Sequence, residues 1–216
     1  MVVRALIIAL LWVMASAPVH ADLEDDRGPA FSRFEPAPAD LSRADPPPAD
    51  RTLPPPVDLG IPNIRQQTKV WCWAAVAQQI IHKKRGKSPP QCALVAMAQG
   101  RYPGFCCPGH ARCAVQGTMA QIRGLIRNFG RRVTEVHPPS GPMVLYRALR
   151  AGRPIILALR NGPGTGHVVV LTGMTWVRTT WGRRAILHIN DPIGAFPARM
   201  RFREIMPRWH AAVVVY

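Results

Sequence analysis

The chain has 216 residues and a formal net charge of +16, with 28 Lys and Arg against 12 Asp and Glu. That length supports one ordinary domain plus accessory segments, and beyond Gly60 only three carboxylates remain, Glu135, Asp191 and Glu204. Such scarcity argues against chemistry that needs paired acids around a sugar, and the few serines after residue 21 occupy no nucleophile elbow.

Residues 1–4 give a short positive start, 5–17 an apolar run, and Val19-His20-Ala21 a small-residue cleavage signature. Residues 1–21 therefore read as a signal peptide cut before Asp22. The run is too short to span a bilayer and no second stretch of about 20 apolar residues follows, so no transmembrane anchor is expected. The mature chain is expected outside the cytoplasm, secreted or periplasmic. Residues 22–60 hold nine of the twelve carboxylates and two proline triplets, Pro46-Pro47-Pro48 and Pro54-Pro55-Pro56, the composition of a disordered tail or linker. A plain spacer is the favoured reading; folded back, the tail would instead shield the domain as a pro-segment does. The remaining span, 61–216, reads as one domain with 23 Lys and Arg against its three acids. A surface this basic gathers at anionic partners such as lipid headgroups or cell-wall polymers, whereas no motif of basic residues interleaved with aromatics points to nucleic acid. A monomer is expected.

Cys72 opens a good helix-forming run that ends in His82-Lys83-Lys84-Arg85 and Gly86, cations and a glycine stop marking a C-terminus. A thiol at a helix start is favoured as its thiolate, the nucleophilic form. Five cysteines in an exported chain leave one over if the others pair. Cys92, Cys106, Cys107 and Cys113 share a Pro- and Gly-rich stretch. A bridge between the neighbours Cys106 and Cys107 would be strained, which leaves 92–106 with 107–113, or 92–107 with 106–113. A zinc site of three thiols and His110 is the rival, disfavoured in an oxidising compartment. Either way Cys72 stays free.

Thr118 reads as the cap of a helix running through Asn128, with Met119, Ile122, Leu125, Ile126 and Phe129 on one face and Gly130 as the stop. Ser140 and Pro142 open another, with Val144, Leu145, Ala148 and Leu149 inward and Gly152 near its end; both helices are assigned to one helical lobe. From Ile155 the pattern turns to strands: 155–159, 167–174, 185–190, 198–203 and 211–216. His167 heads the second of these after a Gly-rich loop, 161–166. Asp191 closes the third, with Asn190 beside it and Pro192 after it.

Together, Gln66 six positions before Trp71-Cys72-Trp73-Ala74-Ala75, Gly166-His167-Val168-Val169-Val170 far downstream, and Asn190-Asp191-Pro192 resemble the motifs of the papain-like cysteine peptidases. The likeness is to the compact bacterial branch that includes bacteriocin-processing and plant-effector proteases. The resemblance implies an α+β fold, with an N-terminal helical lobe carrying the nucleophile and a C-terminal antiparallel β lobe carrying His and Asp. It implies Cys72 as nucleophile, His167 as base, Asp191 as its orienting partner, with Asn190 in reserve, and Gln66 as oxyanion donor with the backbone N–H of Cys72; Gln67 competes for that last role. No metal or cofactor is required, and the substrate would be a peptide or protein cleaved through a thioester. The same triad would serve an amidase or transamidase on cell-wall peptides or glutamine side chains. The alternative without chemistry is a basic surface-binding module.

Overall fold

The computed structural model describes residues 52–107, 110–160, 162 and 166–216. The signal peptide expected at residues 1–21, the tail up to residue 51, most of the Gly-rich loop 161–166 and the side chain of His110 lie outside the described residues.

The first strand, β1 (Val57–Asp58), falls inside the segment expected to be linker, and it pairs with the later strand β3. Leu53, Val57 and Leu59 pack on the core, and Tyr146 Oη donates to the carbonyl of Pro55 at 2.8 Å. The folded domain therefore includes residues ahead of Ile61, from Leu53 onward among the described residues. A proline triplet bars regular structure but not packing.

The first helix, α1 (Cys72–Arg85), starts at the expected residue and stops at Gly86, whose φ of 70° lets its N–H close on the His82 carbonyl. Trp73 to Ala77 and Gln79 to Ile81 are buried, which makes α1 a central rod rather than a surface helix. A helix absent from the sequence reading, α2 (Gln91–Ala98), follows Pro90. A short 3-10 turn (His110–Cys113) leads to α3 (Met119–Asn128), where Thr118 and Gln121 form a reciprocal capping box. Ile122, Leu125 and Ile126 of α3 are buried against α1 as the pattern required.

The next helix, α4 (Pro142–Arg150), has its proline in the first turn, but its inward face differs from expectation. Leu145, Tyr146 and Leu149 are buried while Val144 is 55% exposed. Tyr146 takes the inward place because its ring meets Trp176 edge-on, 6.0 Å between centroids, while its hydroxyl finds Pro55. Nor does α4 join the helical lobe: it lies on the opposite side of the sheet from α1 to α3, in a separate apolar cluster.

The sheet joins β2 (Ile155–Arg160), β3 (Gly166–Thr179), β4 (Gly182–Asn190), β5 (Arg199–Arg201) and β6 (Trp209–Val214) in the order β5-β4-β3-β2-β6, all antiparallel, with β1 on β3. The expected strand 198–203 splits into β5 and a single helical turn, α5 (Phe202–Ile205). Ile156, Ala158, Val168 and Val170 face the helices; Ile155, Leu157, Val169 and Leu171 face α4. A register shift between Leu171 and Gly173 then reverses the alternation, so that Met174 and Trp176 join the α4 side. Gly173 is required at that bulge, since a Cβ there would stand 2.4 Å from the Val57 carbonyl oxygen.

Candidate active site

The free end of α1 faces the end of the sheet where β3 begins and β4 finishes. Cys72, the first residue of α1, is the one cysteine of the five left free and is half-buried. The others pair as Cys92–Cys107 and Cys106–Cys113, the second of the two expected arrangements. Those bridges use every thiol that a zinc site with His110 would need.

His167 and Asp191 are buried, 5% and 2% exposed, with Nε2 of the imidazole 2.7 Å from Asp191 Oδ1. Cys72 lines the same cleft as the ring and lies near enough to act on it. Burial is the largest single influence on the imidazole and favours its neutral form. Asp191, hydrogen-bonded to the ring, and Cys72 together outweigh it, raising the His167 pKa from 6.5 to about 9. Burial alone would likewise push the Asp191 carboxyl up, but His167 and two backbone N–H groups hold it below the usual carboxylate value. Those donors are Ile193 N–H on Oδ1 at 2.9 Å and Phe196 N–H on Oδ2 at 2.8 Å. The result is a buried imidazole–carboxylate pair in which the charged form of each partner is favoured.

Asn190 turns away from this pair and donates through Nδ2 to the Ile61 carbonyl at 2.8 Å, so that of the two neighbours only Asp191 reaches the imidazole. Gln66 is half-buried and lines the same cleft as Cys72 and His167, whereas Gln67 is exposed. One amide hydrogen of Gln66 goes to the Thr68 carbonyl at 2.7 Å. An amide nitrogen carries two, so the second remains for a ligand. The cleft encloses about 310 Å³, with Trp73, Gly117 and Met119 on one wall and Val168, Ile193 and His210 among its other lining residues. Gly117 admits no side chain, since a Cβ would come within 2.1 Å of the Trp73 ring.

Two features of the site escaped the sequence reading. Phe196 stacks on His167 at 6.1 Å with an interplanar angle of 19°, covering the imidazole; its only sequence signal is an aromatic residue soon after Asp191-Pro192. The disulfide-bonded stretch is the second feature. Its Cys113 carbonyl accepts from Trp71 Nε1 at 2.9 Å, and the Val115 carbonyl accepts from Trp73 Nε1 at 3.2 Å. It thus grips the residue on each side of Cys72. Among the described residues no group of three or more His, Cys, Asp or Glu side chains is arranged to hold a metal ion, and no helix is long and apolar enough to cross a membrane.

A family model described as papain-like cysteine protease AvrRpt2 matches residues 57–208. No curated protein matches the chain in sequence. Among solved structures the chain is similar to a double glycine motif protease from an AMS/PCAT transporter, determined in complex with the leader peptide: 19% identity over 74% of this chain and 96% of that one, TM-score 0.47. It is also similar to a protein assigned as a C39-like peptidase from Bacillus anthracis, at 13% identity over 76% of this chain and 98% of that one, TM-score 0.48.

Proposed function

The chain belongs to the papain-like cysteine proteases and is a cysteine peptidase, and on that premise we propose that it cleaves peptide bonds outside the cytoplasm through Cys72, His167, Asp191 and Gln66. One observation carries the reading. A lone free thiol at a helix start shares its cleft with a buried imidazole, which a buried carboxylate holds from behind at 2.7 Å.

In the proposed reaction the Cys72 sulfur adds to the carbonyl carbon of a peptide lying in the cleft. The carbonyl oxygen takes up the charge and receives hydrogen bonds from the free amide hydrogen of Gln66 and the backbone N–H of Cys72. As that charge returns, the C–N bond breaks and His167 gives its proton to the departing amine, leaving a thioester on Cys72. His167 then takes a proton from water, the resulting hydroxide adds to the thioester, and the C–S bond breaks to release the acid. Asp191 keeps the ring in place and stabilises its positive charge throughout. Two disulfides suit an oxidising compartment, in keeping with residues 1–21 acting as an export signal and with a basic, monomeric domain working at an anionic surface.

The test is Cys72→Ala. It should lose hydrolysis of a peptide library and covalent labelling by a peptide-based thiol electrophile, with both disulfides intact; hydrolysis persisting in that variant would defeat the assignment.

A further inference from the structure

Gln91 is the first residue of α2 and only 1% exposed. A glutamine so placed has to satisfy a carbonyl and two N–H bonds without water. It does so almost entirely on the stretch around Gln66: Nε2 donates to the Arg65 carbonyl at 2.8 Å, and Oε1 accepts from Gln67 N–H at 2.9 Å. Gln91 therefore grips the backbone on both sides of Gln66 and leaves Gln66 itself untouched. Its remaining hydrogen goes to Gln78 Oε1 at 3.0 Å. Gln78 belongs to α1, the helix that begins with Cys72, and its own amide donates to the Pro89 carbonyl at 3.0 Å, just ahead of α2. The adjoining residue, Cys92, is bridged to Cys107.

We propose that Gln91 is a positioning residue for the oxyanion site. By tying the Gln66 loop to the nucleophile's own helix, it sets the distance between the Gln66 amide and Cys72. The proposal rests on the reading of Gln66 as oxyanion donor. The same loop is held from its other side by the segment that carries Asp191, through Gln66 N–H to the Pro192 carbonyl at 3.1 Å and Asn63 Nδ2 to the Asp191 carbonyl at 3.2 Å. Against α1 the loop is held at residues 63–64 by Gln79 of that helix, whose Nε2 donates to the Ile64 carbonyl at 3.1 Å and to Asn63 Oδ1 at 3.3 Å, and on both sides of Gln66 by Gln91. Released on the Gln91 side, the loop would stay attached at Asn63 and Ile64 and to the sheet, while the stretch 65–67 lost its own anchor and the Gln66 amide shifted relative to Cys72. Misplacement of that kind acts on the transition state, where the oxyanion forms, more than on peptide binding.

The experiment compares the wild-type chain, Gln66→Ala, Gln91→Met and the double variant, with kcat and KM measured on one internally quenched peptide. Gln66→Ala should lower kcat by about 100-fold. Gln91→Met should lower it by roughly 10- to 50-fold with KM within about twofold, and the double variant should be no slower than Gln66→Ala alone, as expected of two residues acting through one group. Inhibition by a peptide aldehyde, whose adduct carries the tetrahedral oxygen, should weaken in step with kcat. Alkylation of Cys72 by iodoacetamide, which needs no oxyanion site, should be unchanged. If Gln66→Ala is slow but the double variant shows the product of the two losses, Gln91 does not act through Gln66 and the proposal falls while the donor stands. A fully active Gln66→Ala removes the donor assignment and the proposal with it. Loss of alkylation in parallel with kcat in Gln91→Met also overturns the proposal, provided that the variant retains native circular dichroism. Should Gln91→Met not fold, Gln91→Glu keeps the shape and the acceptor for Gln67 N–H while deleting the donor to Arg65; the same pattern of losses decides.

Discussion

The two sides of the cleft are held by different forces. On the helical side, Trp71 and Trp73, which flank Cys72, donate to carbonyls at the end of a loop that two disulfides close. On the sheet side, β3 and β4 run side by side through a ladder interrupted by the bulge between Leu171 and Gly173, and His167 and Asp191 at their ends are joined as a buried ionic pair. One side is cross-linked covalently and the other electrostatically. Reductant should therefore act on the first and pH on the second.

The largest effect is expected from breaking the electrostatic side outright. Asp191→Ala leaves His167 and the N–H groups of Ile193 and Phe196 without their acceptor, and kcat should fall by about 10² to 10⁴. Alkylation of Cys72 should fall with it, because the imidazole loses the partner that keeps it charged. Parallel measurement of kcat and labelling rate checks this; a labelling rate equal to wild type would mean that Cys72 does not depend on the pair. Asp191→Asn retains an oxygen acceptor and lacks only the charge, which separates orientation from electrostatics.

Breaking the covalent side should cost less. Deleting the 106–113 bridge as Cys106→Ala with Cys113→Ala frees the loop that holds Trp71 and Trp73, and a displacement of about 1 Å at the nucleophile is worth up to roughly 100-fold in rate. The expected loss is about 10- to 100-fold in kcat, with thermal stability lowered by about 2–4 kcal/mol. The wild-type chain titrated with reductant should approach the same activity. Full activity in the double variant would reduce the bridge to a clip remote from the chemistry.

The two sides also differed in how well the sequence foretold them. The helix start at Cys72, the Thr118 cap, the alternating strands and the order of His167 before Asp191 were all legible, because each is written in local pattern or cap chemistry. The helix α2 was not: Gln91 to Ala96 are all buried, so no polar face marks its period. The placement of α4 was missed for a related reason, since an apolar stripe reveals that a face is buried but not what buries it. Strand β1 is two residues of long-range pairing within a proline-rich stretch, and the cover of Phe196 over His167 exists only once the chain has closed on itself.

On the electrostatic side alone, pH sharpens the contrast. The His167 pKa is raised above its unfolded value, so the stability it contributes is complete below about 6.5 and is lost as pH rises through about 9. Asp191 is shifted the other way, so its contribution is present above 3.8 and lost as the pH falls below that. In the proposed reaction the same His167 proton is the one given to the leaving amine, and on that reading kcat/KM should fall above pH 9, by up to tenfold per unit. In Asp191→Asn the basic limb should move toward lower pH, whereas in the variant lacking the 106–113 bridge it should stay in place. A limb that moves in both would show that the two sides are not independent.

The smallest expected effect concerns the surface that the two sides share. All four carboxylates among the described residues are engaged elsewhere than at the cleft wall: Asp58 near His188, Glu135 with Arg123 and Arg127, Glu204 with Arg201, and Asp191 behind His167. Lys69 lines the cleft with no opposing acid. A peptide carrying Asp or Glu should thus be drawn in by an unopposed positive field, an attraction that salt screens over about 10 Å at 0.1 M. Raising NaCl from about 50 to 500 mM should lower kcat/KM for an acidic peptide by roughly three- to tenfold, and for its uncharged counterpart by less than about twofold. Lys69→Glu should narrow the gap between the two peptides without changing kcat, since the side chain takes no part in bond breaking. Equal salt responses would confine the excess charge to solvated faces, and selection of substrate would then fall to the apolar lining of Trp73, Met119 and Val168.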